Sequence, residues 1–217
     1  MELSVVLFDL DGTLTDSVPL IVHTYEIVFR ELGLVWQPVA VTGMIGLPLR
    51  SIARTFAGER DREFLSLYQQ HYLRDHDRLM RSFPWTENLL DSLGGLRLGV
   101  VTSKGRGGTD RTLSFTGLAS RFEVVVTAED TPTHKPDPGP VLFALEAVGV
   151  QAEAAAYVGD SPFDIQAGRS AGTLTAGVTW GASPGARLAD SGADAVFDHW
   201  RDLAGFLNKG VTPCISG

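Results

Sequence analysis

The chain has 217 residues, 44% of them hydrophobic and 20% charged, a composition that suits one large folded domain or a core with a smaller insert and excludes a disordered or fibrous chain. Its 18 basic and 26 acidic residues leave a net charge of -8 with no local basic stripe, which argues against a nucleic-acid partner because like charge repels a phosphate backbone. A single cysteine, Cys214, excludes an intrachain disulfide and any cysteine cluster for zinc or iron.

The first element is LSVVLFD, an apolar run read as a buried strand. It is too short for a signal-peptide core and has no basic leader, and no later stretch approaches the roughly 18 apolar residues that span a bilayer. These features predict a cytoplasmic protein with no membrane partner. Immediately after the run, DLDGTLTDS crowds Asp9, Asp11 and Asp16 into eight residues.

Next, SVPLIVHTYEIVFRELG has apolar positions at helical spacing, with Ser17 available as N-cap and Gly33 as stop. LRSIARTFAG and DREFLSLYQQHYLRDH continue in the same style, and Pro84 begins the return to strands. The spacing predicts an all-helical insert over residues 15–82. The remaining strands are RLGVVTS, FEVVVTA and AAAYVGD, with a weaker fifth, TLTAGVTWG, and they follow one another at about thirty residues, the length of a βαβ unit. Runs apolar on both faces, alternating with amphipathic stretches, predict a doubly wound, Rossmann-like parallel α/β core over 1–14 and 83–217. The tail from Lys209 to Gly217 reads as frayed.

Ligands of an open parallel sheet bind beyond the carboxyl ends of its strands, so the residues there are the candidates. They are Asp9 and Asp11 after the first strand, Thr102, Ser103 and Lys104 after the second, Lys135 in the loop after the third, and Asp160 and Asp164 after the fourth. Asp9 and Asp11, two apart on an extended strand, point the same way, and like carboxylates that close need a cation or a shared proton. Mg2+ prefers one or two carboxylates plus substrate phosphate, which Asp9 with Asp160 can supply. Gly12 and Thr13 permit a sharp turn whose N–H groups form a nest for phosphate oxygens. Thr102 offers a hydroxyl to the same group. The basic residues are fifteen Arg and only three Lys, so Lys135, framed by prolines, reads as a compact ammonium aimed at phosphoryl oxygen and carboxylate. His134 reads as an ordinary loop histidine. Asp164 lies in the first turn of a helix, where the dipole favours an acid and where it or Asp160 can cap. Asp16, past the turn, reads as a cap of the first helix.

In order and after the expected strands, DLDGTLTDS, VVTSK, KPDPGPV and GDSPFDI resemble the motifs of the haloacid dehalogenase-like hydrolase superfamily, and they span the whole core. The resemblance implies that Asp9 is a nucleophile forming an aspartyl-phosphate and Asp11 a general acid and then base. It further implies that Mg2+ is held by the Asp9 side chain, the Asp11 main-chain carbonyl and Asp160, with Asp164 ligating through water or orienting the site. Thr102 and Lys135 would neutralise the transferring oxygens. Residues 15–82 match the small helical cap of such enzymes, closing over the site on hinges near Thr15 and Ser82. GMIGLPLRS resembles the cap loop that enters the site, which makes Arg50 a candidate ligand for a substrate carboxylate or second phosphate.

Asp11 argues against dehalogenation, and the absence of lysine from residues 14–82 removes a Schiff-base phosphonatase. A sugar-phosphate phosphatase or mutase ranks below two closer resemblances, the phosphoglycolate phosphatases and the pyrophosphatases that hydrolyse inorganic diphosphate. The expectation is a phosphatase acting on a small phosphorylated metabolite, 2-phosphoglycolate first, as a monomer or homodimer. A catalytically idle binding member is the alternative of another class.

Overall fold

The computed structural model describes residues 2–209. Six strands form one sheet: β1 (Val5–Phe8), β2 (Arg97–Val101), β3 (Val124–Val126), β4 (Ala155–Gly159), β5 (Leu174–Val178) and β6 (Ala195–Phe197). Their order is β3-β2-β1-β4-β5-β6, and every neighbouring pair is parallel. The connections run outward from β1 to β3 and then return to β4 on the other side of β1. The strand order therefore reverses between β1 and β4, which opens a crevice at their carboxyl ends.

The sequence of β1, VVLF, shows why the sheet is covered on both faces. Val5 and Leu7 enter one apolar cluster with residues of α7 (Gly139–Val148) and α8 (Pro162–Ala171). Val6 and Phe8 enter another with α5 (Thr86–Ser92), α10 (Trp200–Lys209) and Leu113 of α6 (Arg106–Phe115). Successive side chains of a strand point to opposite faces, so a strand without polar alternation has both faces buried. The expected doubly wound architecture is present, with one strand more than the sequence predicted. β6 has three half-buried residues and no β-branched run, so it carries little of the pattern that reveals a strand. The short α9 (Gly185–Asp190) precedes it and buries Leu188.

Between β1 and β2 the chain builds α1 (Val18–Glu31), α2 (Pro38–Thr42), α3 (Leu49–Ala57) and α4 (Asp61–Leu79). These helices have their own apolar cluster, including Leu20, Tyr25, Phe29, Ile52 and Phe64. Phe29 is its hub, with ring centroids 5.2 Å from Trp36 and Phe56 and 5.8 Å from Phe64. α2 was not predicted, being only five residues long. The outgoing and returning chains lie side by side, with an antiparallel bridge between Thr15 and Ser82 and the Asp16 N–H donating to the Arg81 carbonyl at 2.9 Å.

Two capping expectations need correction. Ser17 occupies the N-cap position of α1 but has helical dihedrals, its side chain caps nothing, and its buried hydroxyl has no partner. Asp16 lies one residue too early to cap. Gly33 does end the helix, in the left-handed region at φ 64°. No described helix is long and apolar enough to cross a membrane. Lys209 closes α10, while Cys214 and the rest of the tail lie outside the described residues.

Candidate active site

At the end of β1, Asp9 is buried, and its backbone N–H donates to the Val158 carbonyl at 2.8 Å, locking it against β4. The Lys135 ammonium donates to Asp9 Oδ1 at 2.8 Å and to Asp164 Oδ1 at 2.6 Å, so one cation from the loop after β3 joins the ends of β1 and α8. Asp9, Asp160 and Asp164 each offer a carboxylate oxygen within 4.8 Å of one another, and all three are buried. Three carboxylates against one ammonium would leave two negative charges uncompensated in the interior. Burial, reinforced by Asp164 against the pull of Lys135, pushes the Asp9 carboxyl up to about 7. Burial and the Asp9 and Asp164 charges likewise hold Asp160 well above the usual carboxylate value. Burial alone would depress the Lys135 ammonium, but Asp164 and Asp9 outweigh it and hold it above the ordinary lysine value.

Asp160 is positioned by loops on both sides. Thr13 Oγ1 donates to Asp160 Oδ1 at 3.2 Å, and the Ala182 N–H donates to Oδ2 at 2.6 Å. Gly12 has φ +83°, and a Cβ there would lie 2.4 Å from Asp160 Oδ2. Glycine is required by the backbone conformation and by the close approach alike. The turn is not the open nest expected. The Gly12 N–H donates to Thr15 O at 2.9 Å, the Leu14 and Thr15 N–H groups donate to Leu10 O, and the Thr13 hydroxyl serves Asp160. Gly12 and Thr13 therefore shape the acidic cluster, because the turn satisfies its own donors.

Asp164 is more constrained than a free metal ligand. It is the N3 residue of a capping box with Ser161, which opens α8, and it also accepts from Tyr157 Oη at 3.0 Å. With Lys135 added, both of its oxygens are engaged. Of the two acids that could cap this helix, Asp164 is the one that does.

Asp11 is turned away from the acidic cluster. Lys104 Nζ donates to its two oxygens at 2.8 and 3.2 Å, and also bonds Tyr72 Oη of α4 while lying 4.6 Å from that ring centroid. Burial would lower the Lys104 ammonium, yet Asp11 and Tyr72 raise it above the usual value. Thr102 is buried beside it, its Oγ1 accepting from the Lys104 N–H at 3.2 Å, while the Ser103 hydroxyl is buried without a partner.

Asp9, Asp11, Thr102, Ser103 and Lys104 line a cavity of about 540 Å3 between the sheet ends and the helices. The loop of GMIGLPLRS does reach it, through Ile45, Gly46 and Leu47. At Gly46, φ +105°, a Cβ would lie 2.6 Å from Ser161 Oγ, so this loop is packed directly on the site. Arg50 is exposed and does not line the cavity. It stands in the first turn of α3, whose inward positions are taken by Ile52 and Ala53. Sequence reasoning missed Tyr25, Tyr68 and Tyr72, which line the cavity from α1 and α4. It also missed the Gly181–Ala182 clamp on Asp160, where a side chain on Gly181 would come within 2.1 Å of the carboxylate. The tyrosine spacing on α4, four residues apart, was the available signal.

A doubly wound parallel sheet with Asp9, Asp160 and Asp164 gathered around one buried lysine at its strand ends is the architecture of an α/β hydrolase. The chain belongs to the haloacid dehalogenase-like hydrolase family, whose model matches residues 6–178. It is 34% identical to the pyrophosphatase PpaX of Bacillus velezensis over 93% of this chain and 95% of that one. It is 36% identical to the phosphoglycolate phosphatase of Aquifex aeolicus over 82% and 85% of the two chains. Among solved structures, a hydrolase from Pseudomonas syringae superposes with a TM-score of 0.85 at 26% identity, covering 95% and 98%. The chain is accordingly an enzyme of this family, of the phosphatase kind.

Proposed function

We propose that the protein is a Mg2+-dependent phosphatase that works through an aspartyl-phosphate on Asp9. The observation that carries this reading is the triple contact of Lys135, Asp9 and Asp164 at the strand ends, beside a cavity that Asp11 also lines. The donor set fits a small hard cation: oxygen ligands only, with two buried negative charges left over by Lys135. Asp9, Asp160 and the Asp11 carbonyl would hold it, and when bound it supplies charge neutralisation to the transferring oxygens.

In the first step an Asp9 oxygen attacks phosphorus, the bond from phosphorus to the ester oxygen breaks, and Asp11 delivers a proton to the departing alkoxide. In the second, water attacks phosphorus, Asp11 takes its proton, and the bond to Asp9 breaks, releasing phosphate and restoring both carboxyl groups. Lys135 stays charged throughout and holds Asp9 in line. Thr102 and the unpartnered Ser103 hydroxyl supply donors to the phosphoryl oxygens. Lys104 keeps Asp11 fixed between cycles.

Residues 15–82 serve as the cap. Their separate apolar cluster and the paired crossings at Thr15 and Ser82 support a unit that moves as a body. A cytoplasmic, monomeric or homodimeric enzyme fits the sequence.

Arg50, the candidate ligand for the carboxylate of 2-phosphoglycolate, lies outside the cavity. Similarity to both a pyrophosphatase and a phosphoglycolate phosphatase leaves diphosphate as a second reading of equal standing. Phosphate release with and without Mg2+ across p-nitrophenyl phosphate, 2-phosphoglycolate, diphosphate, sugar phosphates and nucleotides tests the class. Metal-dependent turnover of at least one ester is expected; none at all would overturn the reading.

A further inference from the structure

The cavity lining contributed by residues 15–82 is built from uncharged side chains. Tyr25, Tyr68 and Tyr72 run across it, with Tyr25 and Tyr68 ring centroids 4.8 Å apart and Tyr68 stacked on Tyr72 at 5.8 Å. Ile21, Ile45 and Ile52 continue the surface. Burial holds the Tyr25 and Tyr68 phenols well above their usual value, so they remain neutral. No lysine, arginine or histidine from residues 15–82 lines the cavity.

Among the described residues only two cations do, Lys104 and Arg111, both from the core. Lys104 is already paired with Asp11, and Arg111 pairs with Asp77 at 3.0 Å on the exposed rim. Glu129 adds a further acid to the lining. A second phosphoryl group or a carboxylate carried past Asp9 would therefore be desolvated against aromatic and aliphatic surface without a free counter-charge. The volume, about 540 Å3, belongs to the range of roughly 300–1,000 Å3 typical of clefts that bury small ligands against mainly apolar walls.

We infer that the preferred substrate is a phosphate monoester whose alcohol has an apolar body, with the phosphoryl group at Asp9 and the hydrocarbon along the Tyr25, Tyr68 and Tyr72 wall. This deepens the phosphatase reading and rests on it. Chain length alone should then govern specificity among alkyl phosphates, because their leaving alcohols are nearly equal in acidity.

The experiment measures kcat/KM for ethyl, butyl and hexyl phosphate beside 2-phosphoglycolate and diphosphate, and the affinity of the corresponding alkylphosphonates by calorimetry. The expected result is a rise of roughly three- to fourfold per added methylene in both series, with hexyl phosphate ahead of the two small substrates that carry a second anionic group. Leu73 is half-exposed at the cavity mouth, and Leu73→Glu should flatten the rise. Equal values from ethyl to hexyl, or diphosphate or 2-phosphoglycolate more than tenfold ahead of hexyl phosphate, would overturn the inference. So would an unchanged slope in Leu73→Glu. Phosphonate affinity that grows with chain length in a protein that hydrolyses none of the esters would support this binding site and overturn the phosphatase reading alone.

Discussion

Lys104 donates to both oxygens of Asp11, at 2.8 and 3.2 Å, and the same ammonium reaches Tyr72 of the helical insert. One lysine from the loop after β2 thus ties the proposed acid and base to a residue of the helical insert. Asp11→Asn should lower kcat/KM, which reports the phosphorylation step alone, by about 10²–10⁴, the usual worth of a positioned acid. The loss should be smaller for p-nitrophenyl phosphate, whose leaving group needs no proton. Steady-state kinetics on both esters checks this. An equal loss on the two would remove Asp11 from leaving-group protonation.

Among the described residues, Lys135 is the one cation paired within the buried acids Asp9, Asp160 and Asp164. Removing one partner of a buried ion pair typically costs about 3–5 kcal/mol, because the other charge is left uncompensated. Lys135→Met should therefore destabilise the metal-free protein by an amount in that range and abolish turnover. Added Mg2+ should recover part of the stability but none of the activity. Denaturant titrations with and without the ion read both effects.

Gly12 sits at φ +83°, with Asp160 where a side chain would go. Gly12→Ala should displace that carboxylate and weaken Mg2+ binding by at least about tenfold, roughly 1.4 kcal/mol, while the sheet remains intact. Calorimetric Mg2+ titration beside a circular dichroism melt distinguishes a local change from unfolding.

Asp75 on α4 is pulled down to about 2 chiefly by its hydrogen bond from Arg74, with burial opposing and Arg78 assisting. A carboxyl whose folded value lies below its unfolded one adds stability above about pH 4, and that stability is lost as pH falls through about 2. Because both guanidinium partners are largely exposed, screening limits the effect to about 1 kcal/mol. Asp75→Asn should accordingly be less stable than the wild type at pH 6 and converge with it near pH 2. Urea midpoints across that interval give the comparison.

Much of this architecture was legible because buried parallel strands are written as unbroken apolar runs: VVLF and AAYVG could be placed from hydrophobicity alone. β6 could not, since an edge strand of three half-buried residues has no such run. At the site, strand ends located Asp9 and Asp160, because the fold itself decides where a strand end points, whereas Lys135 stood out by the scarcity of lysine and its flanking proline. The placement of Arg50 depended on the helical phase of α3, which a loop of uncertain length precedes, and the structure puts Ile52 inward instead. The role of Thr13 depended on which acceptor its hydroxyl meets, a fact fixed by residue 160 and invisible in a turn motif. The cavity's aromatic wall escaped notice for a similar reason. Tyr25 lies on α1 and Tyr68 and Tyr72 on α4, and only packing brings them to one surface.

The central claim is that the phosphoryl group passes through Asp9. Acid quench of the enzyme during turnover of a phosphate ester with Mg2+, followed by peptide mass spectrometry, tests it directly. The account predicts one phosphoryl group on the peptide bearing Asp9, at the Asp9 side chain, and none in Asp9→Asn, which should fold normally and lose turnover. A phosphoryl group trapped on another residue, or an Asp9→Asn variant within tenfold of wild-type activity, would contradict it.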